Sequence, residues 1–155
     1  MGMLEVQGFD KLQLSLEQMA AIPNDVKGEM LKRSGEVVAE AHRRKLESYV
    51  DEYAVKPYRN GKARAAVRTG QLAASIKAGR PKLTSTESSI EIRPSGSRTR
   101  GGTTTRNEEI GYILEYGKQG VPARPWMRDA NAECEEPAGE ASAERYYQWL
   151  DEIGL

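Results

Sequence analysis

The chain has 155 residues, enough for one modest hydrophobic core and too few for two independent ones. Hydrophobic residues make up 38% and charged residues 30%, with a single Phe, which describes a polar globular protein with a thin core. Basic and acidic side chains balance at 23 each, the lone Cys134 excludes an intrachain disulfide, and no run approaches the roughly 20 apolar residues of a membrane span.

Residues 3–8 alternate loosely through Leu4 and Val6 and end on Gly8, the pattern of a short strand. No basic region followed by an apolar run opens the chain, so no secretory leader is expected and assembly in the cytoplasm is. Asp10 with Gln13 has capping-box spacing, and Leu12, Leu16 and Met19 recur at helical intervals until Pro23 stops the helix. Asn24 or Asp25 can cap a second, longer helix. Its apolar positions Val26, Met30, Val37, Val38 and Ala41 form one stripe, and it should run to about Tyr49. Gly28 and Gly35 each weaken it by about 1 kcal/mol relative to alanine, so it needs a packing partner.

Residues 50–68 break all periodicity and hold Pro57, Asn60-Gly61 and five basic side chains, which predicts an exposed loop. Thr69-Gly70 should lead into a strand over residues 72–82. Residues 88–93, alternating Ile90 and Ile92 with polar neighbours, give the clearest strand pattern. Residues 94–106 are basic, rich in glycine and threonine, and offer no apolar side chain to bury, so they are expected to be a flexible loop.

Asn107, with Glu108 and Glu109 in the first turn, opens a helix in which Ile110, Ile113 and Leu114 share a face and Gly117 ends it. Tyr112, Ile113 and Tyr116 favour a sheet, so a strand is the competing assignment. Residues 121–125 must be extended because residues before proline avoid the helical region. A helix then starts near Trp126, with Met127, Ala130 and Cys134 on one face. Pro137 should interrupt it or open a second helix, in which Ala143, Tyr146, Tyr147 and Leu150 form an amphipathic stripe.

Charge is segregated along this order. Residues 1–52 carry seven basic and ten acidic side chains, residues 53–106 twelve and two, and residues 107–155 four and eleven. The basic middle third fits a nucleic-acid-facing surface, complementary charge between copies of an oligomer, or a solvated loop.

A catalytic constellation does not emerge. The lone histidine, His42, sits beside Arg43 and Arg44 and reads as a surface residue, with no second His or Cys at metal-ligand spacing. Cys134 lies among Glu133, Glu135 and Glu136, which disfavour a thiolate, and reads as a small buried side chain. Gly101-Gly102 belongs to no phosphate-binding pattern. The expectation is a protein that is not an enzyme, with no metal and no cofactor.

Three segments carry a resemblance. Thr69-Gly70-Gln71-Leu72 with Ser75-Ile76, then residues 112–117 (Tyr-Ile-Leu-Glu-Tyr-Gly), then residues 122–130 (Pro-Ala-Arg-Pro-Trp-Met-Arg-Asp-Ala) occur in this order. Together they resemble the motifs of tail-completion, or head–tail joining, proteins of tailed bacteriophages. Order and approximate spacing agree over residues 3–132. The loop at 50–68 replaces the family's short turn, Lys118 stands where a threonine is frequent, and residues 133–155 form a helical tail beyond the resemblance.

The resemblance implies a single α+β domain over residues 1–155: a long helix packed on a small mixed or antiparallel β-sheet, closed by a C-terminal helix, with a flexible basic loop. It implies a structural virion protein at the neck, in a homo-oligomeric ring (a hexamer being one arrangement). The implied partners are head-closure or connector proteins and a tail tube or tail terminator protein, with DNA passing nearby and no membrane. Within that frame Gly70 and Gly117 would hold positive-φ turns, and Pro122 and Pro125 would deliver Trp126 and Met127 to a core or an intersubunit groove. Arg124 and Arg128 would pair with Glu115 of the same or a neighbouring subunit. Arg93, Arg98, Arg100 and Arg106 would line the lumen or dock against protein. Two alternatives stand beside this reading: a tail terminator or minor tail protein, and a nucleic-acid-binding module using the basic middle third. The second lacks aromatic residues for base stacking between 93 and 106.

Overall fold

The computed structural model describes residues 22–54, 64–120 and 122–155. The strand expected at 3–8, the helix after Asp10, and Pro57 with Asn60-Gly61 lie outside these residues. Asn24–Ala54 is a helix of 31 residues, α1, with Asp25 in its first turn, where a carboxylate complements the helix dipole. Its inward face is Val26, Gly35, Ala39, Ala41, His42 and Leu46. The expected stripe is therefore only part of it: Val37 and Val38 flank the core rather than fill it.

Antiparallel support comes from α4, Trp126–Glu152, 27 residues long, the main packing partner of α1. Its buried positions Trp126, Ala130, Cys134, Ala138, Arg145 and Trp149 are spaced by four and seven residues, one face of a single helix. The expected interruption at Pro137 does not occur. Pro137 is exposed, and the helix continues because Cys134 and Ala138, on either side of it, sit in one stripe against α1. That burial outweighs the roughly 3 kcal/mol by which an interior proline disfavours a helix. Phase continuity through Pro137 also displaces the expected stripe: Arg145 and Trp149 turn inward, whereas Tyr147 remains 62% exposed. Small residues, Ala41 against Ala130 and Cys134, let the two axes approach.

Between these helices, Arg64–Ser75 forms α2, so the strand expected from residue 72 is corrected to helix up to Ser75. Leu72, Ala73 and Ile76 are all buried, and burial at i, i+1 and i+4 follows helical rather than alternating periodicity. Gly70 lies inside α2 and is not a positive-φ turn. The loop expected at 50–68 is shortened from both sides by α1 and α2.

Among the described residues the strands form three two-stranded antiparallel ladders instead of one sheet. Ile76–Ala78 (β1) pairs with Ile92–Pro94 (β4), Lys82–Leu83 (β2) with Ser88–Ser89 (β3), and Ser97–Arg100 (β5) with Thr103–Arg106 (β6). Ile90 leaves the ladder to sit on Gly35 of α1, where an added Cβ would come within 2.9 Å of Ile90 Cδ1. The segment 94–106, expected to be a flexible loop, is mainly a hairpin. Gly101 (φ 56°) and Gly102 (φ 79°) supply the two positive-φ residues of a tight turn whose twist matches the strands. The Thr99 and Thr104 hydroxyls meet across it at 2.9 Å. Threonine's preference for pleated backbone replaces burial as the local driving force.

Asn107–Tyr116 is a helix, α3, and not the competing strand. Gly117 (φ 76°) ends it, donating its N–H to Ile113 O at 2.8 Å. The protein is thus α+β: a long helix, small antiparallel sheets and a C-terminal helix.

Candidate functional site

Trp126 has no solvent-exposed surface, and around it the three motif segments meet. Its Nε1–H donates to Gly111 O at 3.0 Å. An added Cβ at Gly111 would lie 3.3 Å from both Pro94 Cγ and Trp126 Cζ2, and 3.8 Å from Leu72 Cδ1. Helix α3 therefore reaches the indole and the end of α2 because position 111 has no side chain. Leu46, Leu72 and Ile76 complete the core, each burial stabilising by about 1.5–3 kcal/mol.

Glu115 gives the second tie. Its buried carboxylate accepts the backbone N–H of Met127 at 2.7 Å and of Arg128 at 3.1 Å. These are donors that the first turn of α4 leaves without intrahelical partners. Pro125, which precedes Trp126, has no capping side chain, so a carboxylate from α3 satisfies them and complements the helix dipole. Pro125 itself (φ −73°, ψ 66°) makes an inverse γ-turn closed by Trp126 N–H to Arg124 O at 2.7 Å. Arg124 N–H in turn donates to Leu114 O at 2.7 Å. Pro122 is exposed and Pro125 half-buried, so the linker is held from the α3 side.

Within one subunit the Arg128 side chain does not take up the expected pairing with Glu115. The Glu115 carboxylate takes the Arg128 main chain, while the Arg128 guanidinium turns to Asp129 at 3.2 Å. The Arg124 guanidinium lies over the Tyr49 ring, 5.8 Å from its centroid.

His42 is also corrected. It is 3% exposed, its Nε2 is 2.7 Å from Asn131 Oδ1, and its ring stands edge-on to Trp126 at 5.3 Å between centroids. Ala39, His42 and Leu46 fall at i, i+3 and i+7, a spacing that marks the histidine as inward-facing. Asn107 was missed as well: it is buried, with Nδ2 donating to Ser95 O at 2.6 Å and Oδ1 accepting from Arg98 Nε at 3.1 Å. It clamps the hairpin base to α3. Arg145 is buried between α1 and α4, paired with Glu29 and, at 3.4 Å, with Glu152. Cys134 is buried, and that burial pushes its thiol pKa up.

The four arginines singled out in the basic segment differ in their surroundings. Arg93 pairs with Glu108 at 3.0 Å and Glu91 at 3.7 Å, and Arg106 with Glu108 at 3.8 Å. Arg98 is tied to Asn107. Arg100 ends β5 opposite Thr103, and its side chain lies outside the described residues. Two cations not singled out, Lys77 and Arg80, are exposed, and their side chains have no partner among the described residues. Lys77 is directly opposite Arg93 in the β1–β4 ladder.

Among the described residues no group of three or more His, Cys, Asp or Glu is placed to hold a metal ion, and no helix is long and apolar enough to cross a membrane. Searches of protein-family models, curated proteins and solved structures return no match to this chain.

Proposed function

We propose that this chain is a non-enzymatic assembly subunit of a tailed-phage virion, a tail-completion or head–tail connector protein acting in a ring at the neck. The observation that carries the reading is the joining of the three resembling segments into one unit. Leu72 and Ile76 from the first, Glu115 from the second, and Trp126 and Met127 from the third are in contact through the core or through the Glu115 carboxylate. The residues that resemble the family's motifs are therefore the residues that hold this fold together. That is the pattern expected where the shared sequence encodes a scaffold rather than a reaction. Its partners in this reading are further copies of itself, a head-closure protein and a tail tube or terminator protein.

The test is genetic and visual. A phage or prophage lacking this gene should yield DNA-filled heads and separate tails in electron micrographs. Intact infectious particles made without the protein would sink the proposal, and empty proheads would move its role to an earlier step.

A further inference from the structure

We infer that the exposed basic surface around Lys77, Arg80 and Lys82, on β1, the connection after it and β2 of one copy, docks against an acidic stripe on the outer face of α4 in a second copy of this chain. The inference names a partner surface for the assembly role proposed above and rests on that reading only for its biological setting.

Two surfaces of opposite character carry it. Residues 76–106 hold seven basic side chains and two acidic ones; α4 holds eight acidic and two basic. On α4 the positions Glu136, Glu140, Glu144, Tyr147 and Asp151 recur at i, i+4, i+8, i+11 and i+15, and all are exposed. At 1.5 Å per residue they make a row about 22 Å long, turned away from the face that packs on α1. None of these four carboxylates has an ion-pair partner among the described residues. On the strand side, Lys77 and Arg80 also lack partners, and Lys82 has only the exposed Glu91 at 3.6 Å.

The register adds an independent observation. Like charges directly opposite in an antiparallel ladder destabilise it, and Lys77 opposite Arg93 is such a pair. Arg93 is offset by Glu108 and Glu91 of its own copy, which leaves Lys77 as the member of the pair that carboxylates of another copy would meet. Each exposed ion pair contributes little alone, but a row of them steers approach and sets register. Duplex DNA would meet the same cations. Against it, the acidic row on α4 would repel phosphate while it would attract a second copy.

Charge exchange tests this on the full chain. One variant carries Glu136→Lys, Glu140→Lys and Glu144→Lys; the other carries Lys77→Glu, Arg80→Glu and Lys82→Glu. All six positions are exposed, so circular dichroism and thermal unfolding should match the parent. In sedimentation velocity across a wide concentration range the parent should self-associate, about tenfold more weakly in about 1 M than in about 0.1 M salt, as screening shortens. Each variant alone should remain monomeric, and an equimolar mixture should associate again, because each altered face then meets its complement. Self-association of either variant like the parent, or a mixture that stays monomeric, overturns the inference. So does a parent that is monomeric throughout while binding duplex DNA through Lys77, Arg80 and Lys82. If charge exchange succeeds but particles form normally without the gene, the interface stands and the neck role fails. The reverse pair of results removes the interface alone.

Discussion

The knot around Trp126 and the hairpin of β5 and β6 meet at Asn107, yet they are stabilised in different ways. The knot is made of burial: an indole with no exposed surface, three aliphatic side chains packed on it, and a carboxylate that caps a helix from outside. The hairpin contains no aliphatic or aromatic side chain at all. It stands on its ladder, a threonine pair, two glycines with positive φ and the Asn107 clamp at its base. Isolated two-stranded ladders are marginal in water. The difference teaches that the resembling motifs occupy the part of the chain where the fold's stability resides. The β5–β6 hairpin lies where stability is slight.

The largest break in this comparison should come from Trp126→Ala. Loss of a fully buried ring and the cavity left behind should destabilise by about 3–5 kcal/mol in denaturant unfolding. An unchanged midpoint would mean that the knot is not the stability centre. A smaller effect, about 1–3 kcal/mol, is expected of Glu115→Ala, which leaves the Met127 and Arg128 amides without their acceptor at the start of α4. Hydrogen exchange should then quicken first at those two amides. If exchange there is unaffected, the cap is not what holds the helix start. The smallest global effect should come from Gly101→Ala with Gly102→Ala, which penalises both positive-φ positions. Amide protection across residues 97–106 should be lost while global stability changes by no more than about 0.5 kcal/mol, because the hairpin can open without opening the core. A global loss as large as that of Glu115→Ala would erase the distinction between the two regions.

Much of the architecture was legible without coordinates. The helical periodicity of α1, the acidic first turn and terminal glycine of α3 and the proline-held approach to Trp126 all follow from local rules, whereas the α+β class was what the resemblance implied. A repeat of 3.6, a cap and a residue before proline each constrain a few neighbouring dihedrals, whatever the rest of the chain does. The helix from Arg64 to Ser75 is less local. Leu72 and Ile76 suit a strand or a helix equally by composition, and their common burial beside Leu46 and Trp126 selects the helix. The same holds at Pro137, where packing on both sides overrides a local breaker, and at residues 97–106, where a composition of glycine and threonine predicts flexibility but forms a turn and a ladder.

What the sequence by itself determined is which residues want to be buried, where turns can form and how charge is distributed. Only the tertiary structure decided which polar groups meet. Glu115 and the two arginines near Trp126 were visible as charges, but the carboxylate takes backbone amides, which no side-chain pattern reports. His42 has arginines beside it in sequence and Trp126 and Asn131 beside it in space. Arg93, Arg98 and Arg106 read as a basic surface, yet each has an internal partner, while Lys77 and Arg80 have none among the described residues. The physical reason is one of range. Backbone preference and hydrophobic periodicity act within a few residues along the chain. The pairing of a charge or a buried donor depends on distances of about 3 Å between segments tens of residues apart, and these exist only once the helices have packed.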